Sequence, residues 1–469
     1  MLLALLLITS CGDVHAPLDG SPTPSPTFPP ITPIGDGSIT PTPPPPESSY
    51  RLVYRQFGET EDIIWQVNPA DPADRVELAR IQHREGFGIV ASLSPDGRQL
   101  AYLLQPESAP ADPGLSRAVA HVMDLKTGRS EQIAEGVDLR FRPLWSPDGR
   151  LLYLRSLRGP DPLAADVIIL QVRVPAPIDG TPTPSPTPTL TPTVPAGGTP
   201  IPTPVPDEPV KAILQAKVSQ VLSFIPVGFS SDGALYFVQI EGGTGGGTLV
   251  GAYALGTTES IATATAEAEL TATALAGVSP TPSPAGATPT PAARFVVKLS
   301  DQIATDYHMS PNQTRLSFIA QALVEGEPVF QAFVADLVSR RVTQLPGAGL
   351  PPGDRLSPRW HPDGERLAVG LLPQDGEPAA VAVVPVAGGE VRFLPPPSAG
   401  FDQPLAWSPD GVFLAVASFT GESLANPGTV RLDVVAVTGQ RITISDRPDD
   451  ATQASILGWY EPLVFEENE

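Results

Sequence analysis

Leu144-Trp-Ser-Pro-Asp-Gly-Arg-Leu-Leu-Tyr-Leu-Arg-Ser156 reads as two strands around a tight turn. Proline presets φ at the second turn position, aspartate tolerates the third, and glycine accepts the left-handed conformation that closes a hairpin. The pattern recurs as SLSPDGRQLAYLL from Ser92, GFSSDGALYFVQI from Gly228, HMSPNQTRLSFIA from His308, RWHPDGERLAVGL from Arg359 and AWSPDGVFLAVAS from Ala406. Its turns begin at Ser94, Ser146, Ser230, Ser310, His361 and Ser408. A second pair of strands follows each hairpin, for example 118–125, the turn Lys126-Thr-Gly-Arg129, and 130–134. Each unit therefore has four strands, A to D, with the Ser-Pro-Asp-Gly turn between A and B.

The turns are 52, 84, 80, 51 and 47 residues apart. The two long gaps contain Pro/Thr-rich stretches at about 175–209 and 256–292, and without them the spacings become 49 and 43. Both stretches fall between strands C and D. Proline removes backbone donors and fixes φ, so such segments cannot join a sheet core and are expected to be disordered inserts. A four-stranded unit recurring every 40 to 50 residues is the signature of a β-propeller blade.

Trp145-Ser-Pro-Asp-Gly149, Trp407-Ser-Pro-Asp-Gly411 and Val122-Met-Asp-Leu125 resemble the W-S-P-D-G and V-M-D-L elements of TolB-type, WD-like propeller repeats. The resemblance runs from about residue 50 to the end. It departs at His361 for Ser, Ser231 for Pro and Asn312-Gln313 for Asp-Gly. The fold class expected is all-β, a single propeller over 49–469. TolB-type propellers usually have six blades, but residues 48–469 without the inserts number 350, or 50 per blade for seven. Seven is the preferred count, with six or eight as alternatives. The termini agree with seven. Residues 51–55, 62–67 and 75–79 read as strands B, C and D without an A, while 455–459 reads as an A strand with Trp459 in the register of Trp407. One blade is thus expected to be built from both ends of the chain. Residues 463–465 offer a second copy of its B strand.

Met1–Ile8 is an apolar run, followed by Thr9-Ser10 and the single cysteine, Cys11. Seven apolar residues are too few to span a bilayer, which needs roughly 20 in a helix. Ile8-Thr9-Ser10-Cys11 resembles the lipobox of bacterial lipoproteins, in which the cysteine is diacylated, although no Lys or Arg precedes it. The resemblance implies a signal segment at 1–10, lipidation of Cys11, and a location in the cell envelope on the outer side of the cytoplasmic membrane. Residues 11–48, rich in Pro and Thr, are expected to form a disordered stalk.

The chain has 469 residues, 59 prolines and a net charge of −22. Acidic excess excludes a nucleic-acid partner, because phosphate binding needs clustered Lys and Arg. A single cysteine excludes an internal disulfide or a thiolate zinc cluster, and the five histidines show no metal-ligand spacing, so no cofactor is expected. Trp145, Trp360, Trp407 and Trp459 precede the turn at one register and are read as packing between blades rather than as ligand stackers. Asp96, Asp148, Asp232, Asp363 and Asp410 are read as turn acceptors rather than as a carboxylate ring. No nucleophile elbow or dinucleotide loop is present.

The function expected is that of a monomeric, non-enzymatic, lipid-anchored scaffold for a protein, peptide or glycan. The alternative is a propeller enzyme of the lyase or lactonase kind. Loops B–C and D–A share the side that the inserts leave uncovered. Candidate ligand-binding residues there are Arg84, Arg140, Arg142, Arg355 and Arg359, with Asp306 on an inner strand.

Overall fold

A computed structural model describes residues 46–105, 117–158, 166–176, 210–217, 221–231, 233–241, 247–253, 294–324, 326–445 and 455–462. Cys11, nearly all of the stalk and of both inserts, and 463–465 lie outside the described residues. Among the described residues the chain is all-β and antiparallel, without a helix.

Its strands fall into seven sets of four. In chain order, set 1 holds Arg51–Gln56, Glu61–Asn68 and Asp71–Gln82, with Ser455–Tyr460 added beside the first. Set 2 is Val90–Leu93, Gln99–Leu104, Arg117–Asp124 and Ser130–Asp138; set 3 is Leu144–Trp145, Leu151–Arg158, Asp166–Arg173 and Val210–Lys217. Set 4 is Val221–Phe229, Leu235–Glu241, Thr248–Tyr253 and Arg294–Ser300; set 5 is Thr305–Met309, Arg315–Val324, Glu327–Asp336 and Arg341–Gln344. Set 6 is Arg355–Trp360, Arg366–Leu371, Ala382–Pro385 and Arg392–Phe393; set 7 is Phe401–Trp407, Phe413–Phe419, Val430–Ala436 and Arg441–Thr443. Sets 2 and 3 are joined into one larger sheet by the single bridge Val137↔Ser156, where Gly136 at φ 70° carries strand D of set 2 toward strand B of set 3.

The expected turn chemistry is visible atom by atom. At Ser94 the backbone N–H donates to the Gln99 carbonyl, the hydroxyl donates to Asp96 Oδ1 and accepts from Gln99 N, and Gly97 takes φ 71°. The turns at Ser146 and Ser408 repeat this. Where Asn312-Gln313 replaces Asp-Gly the bonds persist, with Gln313 forced to φ 60°. The aspartates of these turns are thus local acceptors that hold the hairpin.

Packing joins the sets sideways. Seven apolar clusters form, one between each set and the next, and the last lies between set 7 and set 1. The A strands follow the same order as neighbours and return to the start, 455–460 lying between 401–407 and 90–93. The tryptophans bolt this arrangement. Trp145 Nε1 donates to Ser92 O at 3.3 Å, Trp360 Nε1 to His308 O at 2.9 Å, and Trp459 Nε1 to Ala406 O at 3.0 Å. Each reaches the preceding set's A strand. Trp407 is equally buried, but His361 stands edge-on to it at 4.8 Å and its Nε1 has no partner among the described residues.

Candidate functional site

A ring of A strands encloses an axis, and the sequence register tells which residues approach it. Four positions before each turn residue stand Val90, Arg142, Pro226, Asp306, Ser357 and Pro404; two positions before it stand Ser92, Leu144, Gly228, His308, Arg359 and Ala406. The ionisable members are Arg142, Asp306, His308 and Arg359. At this same level the A strands of sets 1, 4, 5, 6 and 7 slip register against their B strands, at 456–458, 226–228, 305–308, 356–359 and 404–406. A β-bulge bends a strand and re-aims its side chains. Asp306 at φ 57° and Ser357 at φ 43° sit in the left-handed region, which costs a non-glycine residue about 1–3 kcal/mol each.

The bulged strands of sets 5 and 6 bring Asp306, His308 and Arg359 together. Arg359 Nη1 lies 3.0 Å from Asp306 Oδ1 in set 5, while its Nε donates to Leu405 O in set 7 at 2.8 Å. His308 Nε2 is 2.8 Å from the same Asp306 oxygen. Arg142, in set 3, donates from Nη2 to Ile456 O in set 1 at 2.5 Å. That bond passes over set 2 and joins two sets that are not adjacent. Gln403 Nε2 donates to Ser357 Oγ at 2.6 Å, closing the same level between sets 6 and 7.

Electrostatics sort these groups into distinct states. Burial pushes the Asp306 carboxyl up, but the His308 hydrogen bond and the Arg359 charge outweigh it and hold the acid well below the usual carboxylate range. Burial lowers His308 and the Arg359 charge adds to the effect, while the Asp306 hydrogen bond and charge oppose it; the net direction is down, which favours the neutral imidazole. Arg142 is open to solvent, yet burial is the main cause lowering its pKa. Tyr460 is raised to about 12, chiefly by burial, against the opposing charge of Arg142.

Asp306 therefore makes a testable contribution to stability. Its folded-state pKa lies below the unfolded value of about 3.9, so its stabilisation is complete above that value and is lost as pH falls. Asp306→Asn is expected to flatten the acid limb of stability below about pH 5, measured by urea unfolding. Acid limbs of equal slope in the two proteins would refute this role.

Of the residues singled out from the sequence, Arg142, Asp306 and Arg359 come together. Arg359 is not in a D–A loop as expected but within strand A of set 6, next to Trp360. The other three are engaged elsewhere. Arg140 pairs with Asp138 at 2.8 Å, Arg355 is buried with Nη2 donating to Pro351 O at 2.6 Å, and Arg84 lies over the Phe87 ring at 5.1 Å. Sequence reasoning missed Ser357, Gln403 and Tyr460; the shared register of the A strands was the signal for Ser357. Among the described residues no group of three or more His, Cys, Asp and Glu is placed to hold a metal ion.

No protein-family model matches the chain. Over 120 residues it is 28% identical to a Bacillus subtilis protein named uncharacterized peptidase YuxL, a match covering 25% of this chain. The chain spans only 18% of that relative's length. TolB from Acinetobacter baumannii is similar at TM-score 0.39 and 14% identity, covering 73% of this chain and 65% of that one. The periplasmic gluconolactonase PpgL of Pseudomonas aeruginosa is similar at TM-score 0.42 and 18% identity, covering 84% and 95%. Likenesses this distant assign no activity to the chain.

Proposed function

We propose that the seven sets are the blades of one closed β-propeller, lipid-anchored at Cys11 on the outer side of the cytoplasmic membrane, and that it is a non-enzymatic scaffold binding a protein, peptide or glycan at its axial channel. The observation that carries this reading is the Asp306–His308–Arg359 cluster formed between sets 5 and 6, with the Arg142 charge within electrostatic reach of it. Bulges and left-handed residues at that level cost stability that packing alone does not require. The test is a pull-down from envelope extract with the Cys11→Ala protein. A partner retained by that protein and by a variant lacking 177–208, but lost with Arg142→Ala plus Arg359→Ala, supports the channel. The reverse pattern moves the site to the insert side.

Anchoring has its own test. Cys11→Ala is expected to shift the protein from the membrane to the soluble fraction, since two or three acyl chains supply about 0.8 kcal/mol per buried methylene. Unchanged membrane association on fractionation would refute the anchor.

The Asp306–His308 pair favours a second reading, a lyase or lactonase in which a neutral imidazole held by a carboxylate acts as general base. Turnover of sugar lactones or polyuronates that disappears in His308→Gln would select it.

A further inference from the structure

We propose that the axial channel takes up a single carboxylate group, held by the Arg142 guanidinium; this rests on the channel being the binding site. A charge count at the axis leads there. Asp306 neutralises Arg359 at 3.0 Å, and Arg359 spends further donors on Leu405 O and Pro358 O. His308, shifted toward its neutral form, shares the same Asp306 oxygen. Arg142 remains. Among the described residues it pairs with no carboxylate, and its one acceptor is the Ile456 carbonyl at 2.5 Å. A guanidinium presents five N–H donors in a planar fork, so most of this one's capacity is unused.

Arg142 is open to solvent, but the Arg359 and Arg55 charges act against its own, and an anion that enters relieves that repulsion. The planar fork matches a carboxylate through two parallel hydrogen bonds. Overall charge narrows the class further. In a chain of net charge −22 the long-range field repels anions, and repulsion grows with each added ligand charge. One uncompensated cation balances one negative charge. Polyanions are therefore disfavoured, and the fitting ligand is a monocarboxylate on an otherwise neutral carrier. A peptide C-terminus and an acidic sugar both present that group.

Isothermal titration and thermal unfolding of the Cys11→Ala protein test this with N-acetylalanine, standing for a peptide end, and glucuronate, standing for an acidic sugar. Saturable binding of either, absent for its methyl ester, is expected, and the better of the two identifies the source. Arg142→Gln should weaken the binding about 10- to 100-fold, the loss typical of a charge-assisted pair. Arg142→Met guards against misfolding. If the cation is held for a ligand, Met should leave the ligand-free Tm unchanged or higher while abolishing the carboxylate-induced rise. A lower ligand-free Tm, binding that survives both substitutions, or no binding of either carboxylate would overturn the proposal. An envelope partner that still requires Arg142 and Arg359 while neither carboxylate binds would retire the carboxylate and leave the scaffold reading standing.

Discussion

Replacing Arg441 by methionine is expected to cost the fold about 3–5 kcal/mol, the largest loss anticipated for any single polar side chain here. Arg441 stands on strand D of set 7 and reaches across the whole sheet. Its Nη1 lies 3.2 Å from Asp402 Oδ1 on strand A, 2.9 Å from Ser418 Oγ on strand B and 3.0 Å from Asp433 Oδ2 on strand C. Its Nη2 also donates to Asp402 and to Pro395 O. Asp402 and Asp433 are fully buried, and Arg431 supplies Asp433 with one further contact at 3.0 Å. Burial already pushes Asp402 upward. Removing the arginine leaves Asp433 with Arg431 alone and Asp402 without its guanidinium, so the penalty is that of uncompensated buried charge rather than of one lost bond. Arg441→Lys should recover only part of the loss, because an ammonium cannot address both acids and a carbonyl in one plane. Urea unfolding checks both variants. A methionine variant within about 1 kcal/mol of the parent would show that the network contributes little.

Deleting 455–469 is expected to have a still broader effect. Strand 455–460 pairs with Arg51–Arg55, and its Leu457 and Trp459 belong to two different apolar clusters, one shared with set 2 and one with set 7. Its loss opens both seams and exposes the edge of Arg51–Gln56. Burying Trp459 alone is worth about 3–5 kcal/mol, a large share of the 5–15 kcal/mol that stabilises a typical domain. A Tm lower by about 10 °C or more, or loss of a single cooperative transition, is expected in calorimetry. Trp459→Ala should give an intermediate fall. A truncated protein that melts like its parent would show that the chain's two ends do not need each other.

Legibility in the sequence followed the range of the interactions. Ser-Pro-Asp-Gly turns and alternating strands are local, and the bonds at Ser94, Ser146 and Ser408 are made within five residues, so the hairpins could be read directly. The pairing of 455–459 with the first strand was also readable, because Trp459 keeps the register of Trp407 over a fixed repeat. Side-chain destinations were not. Arg84, Arg140 and Arg355 occupy loop and strand-start positions like those that suggested Arg142, yet Arg140 is captured by Asp138 two residues earlier and Arg355 by a carbonyl four residues earlier. Nearby acceptors compete for a long flexible cation, and which one wins depends on backbone direction rather than on residue type.

By itself the sequence determined the four-stranded units and their order, the turn chemistry and the place of both Pro/Thr stretches between C and D strands, since each follows from periodicity and short-range bonding. Only the tertiary structure decided the axial cluster and the buried network. Arg142 and Ile456 are 314 residues apart, and Asp402 and Arg441 are 39 apart. They meet because a ring brings the A strands of distant sets to one axis and a four-stranded sheet brings alternate positions to one face. Bulges then aim individual side chains, and a bulge is a property of two strands in register, which no single stretch of sequence contains.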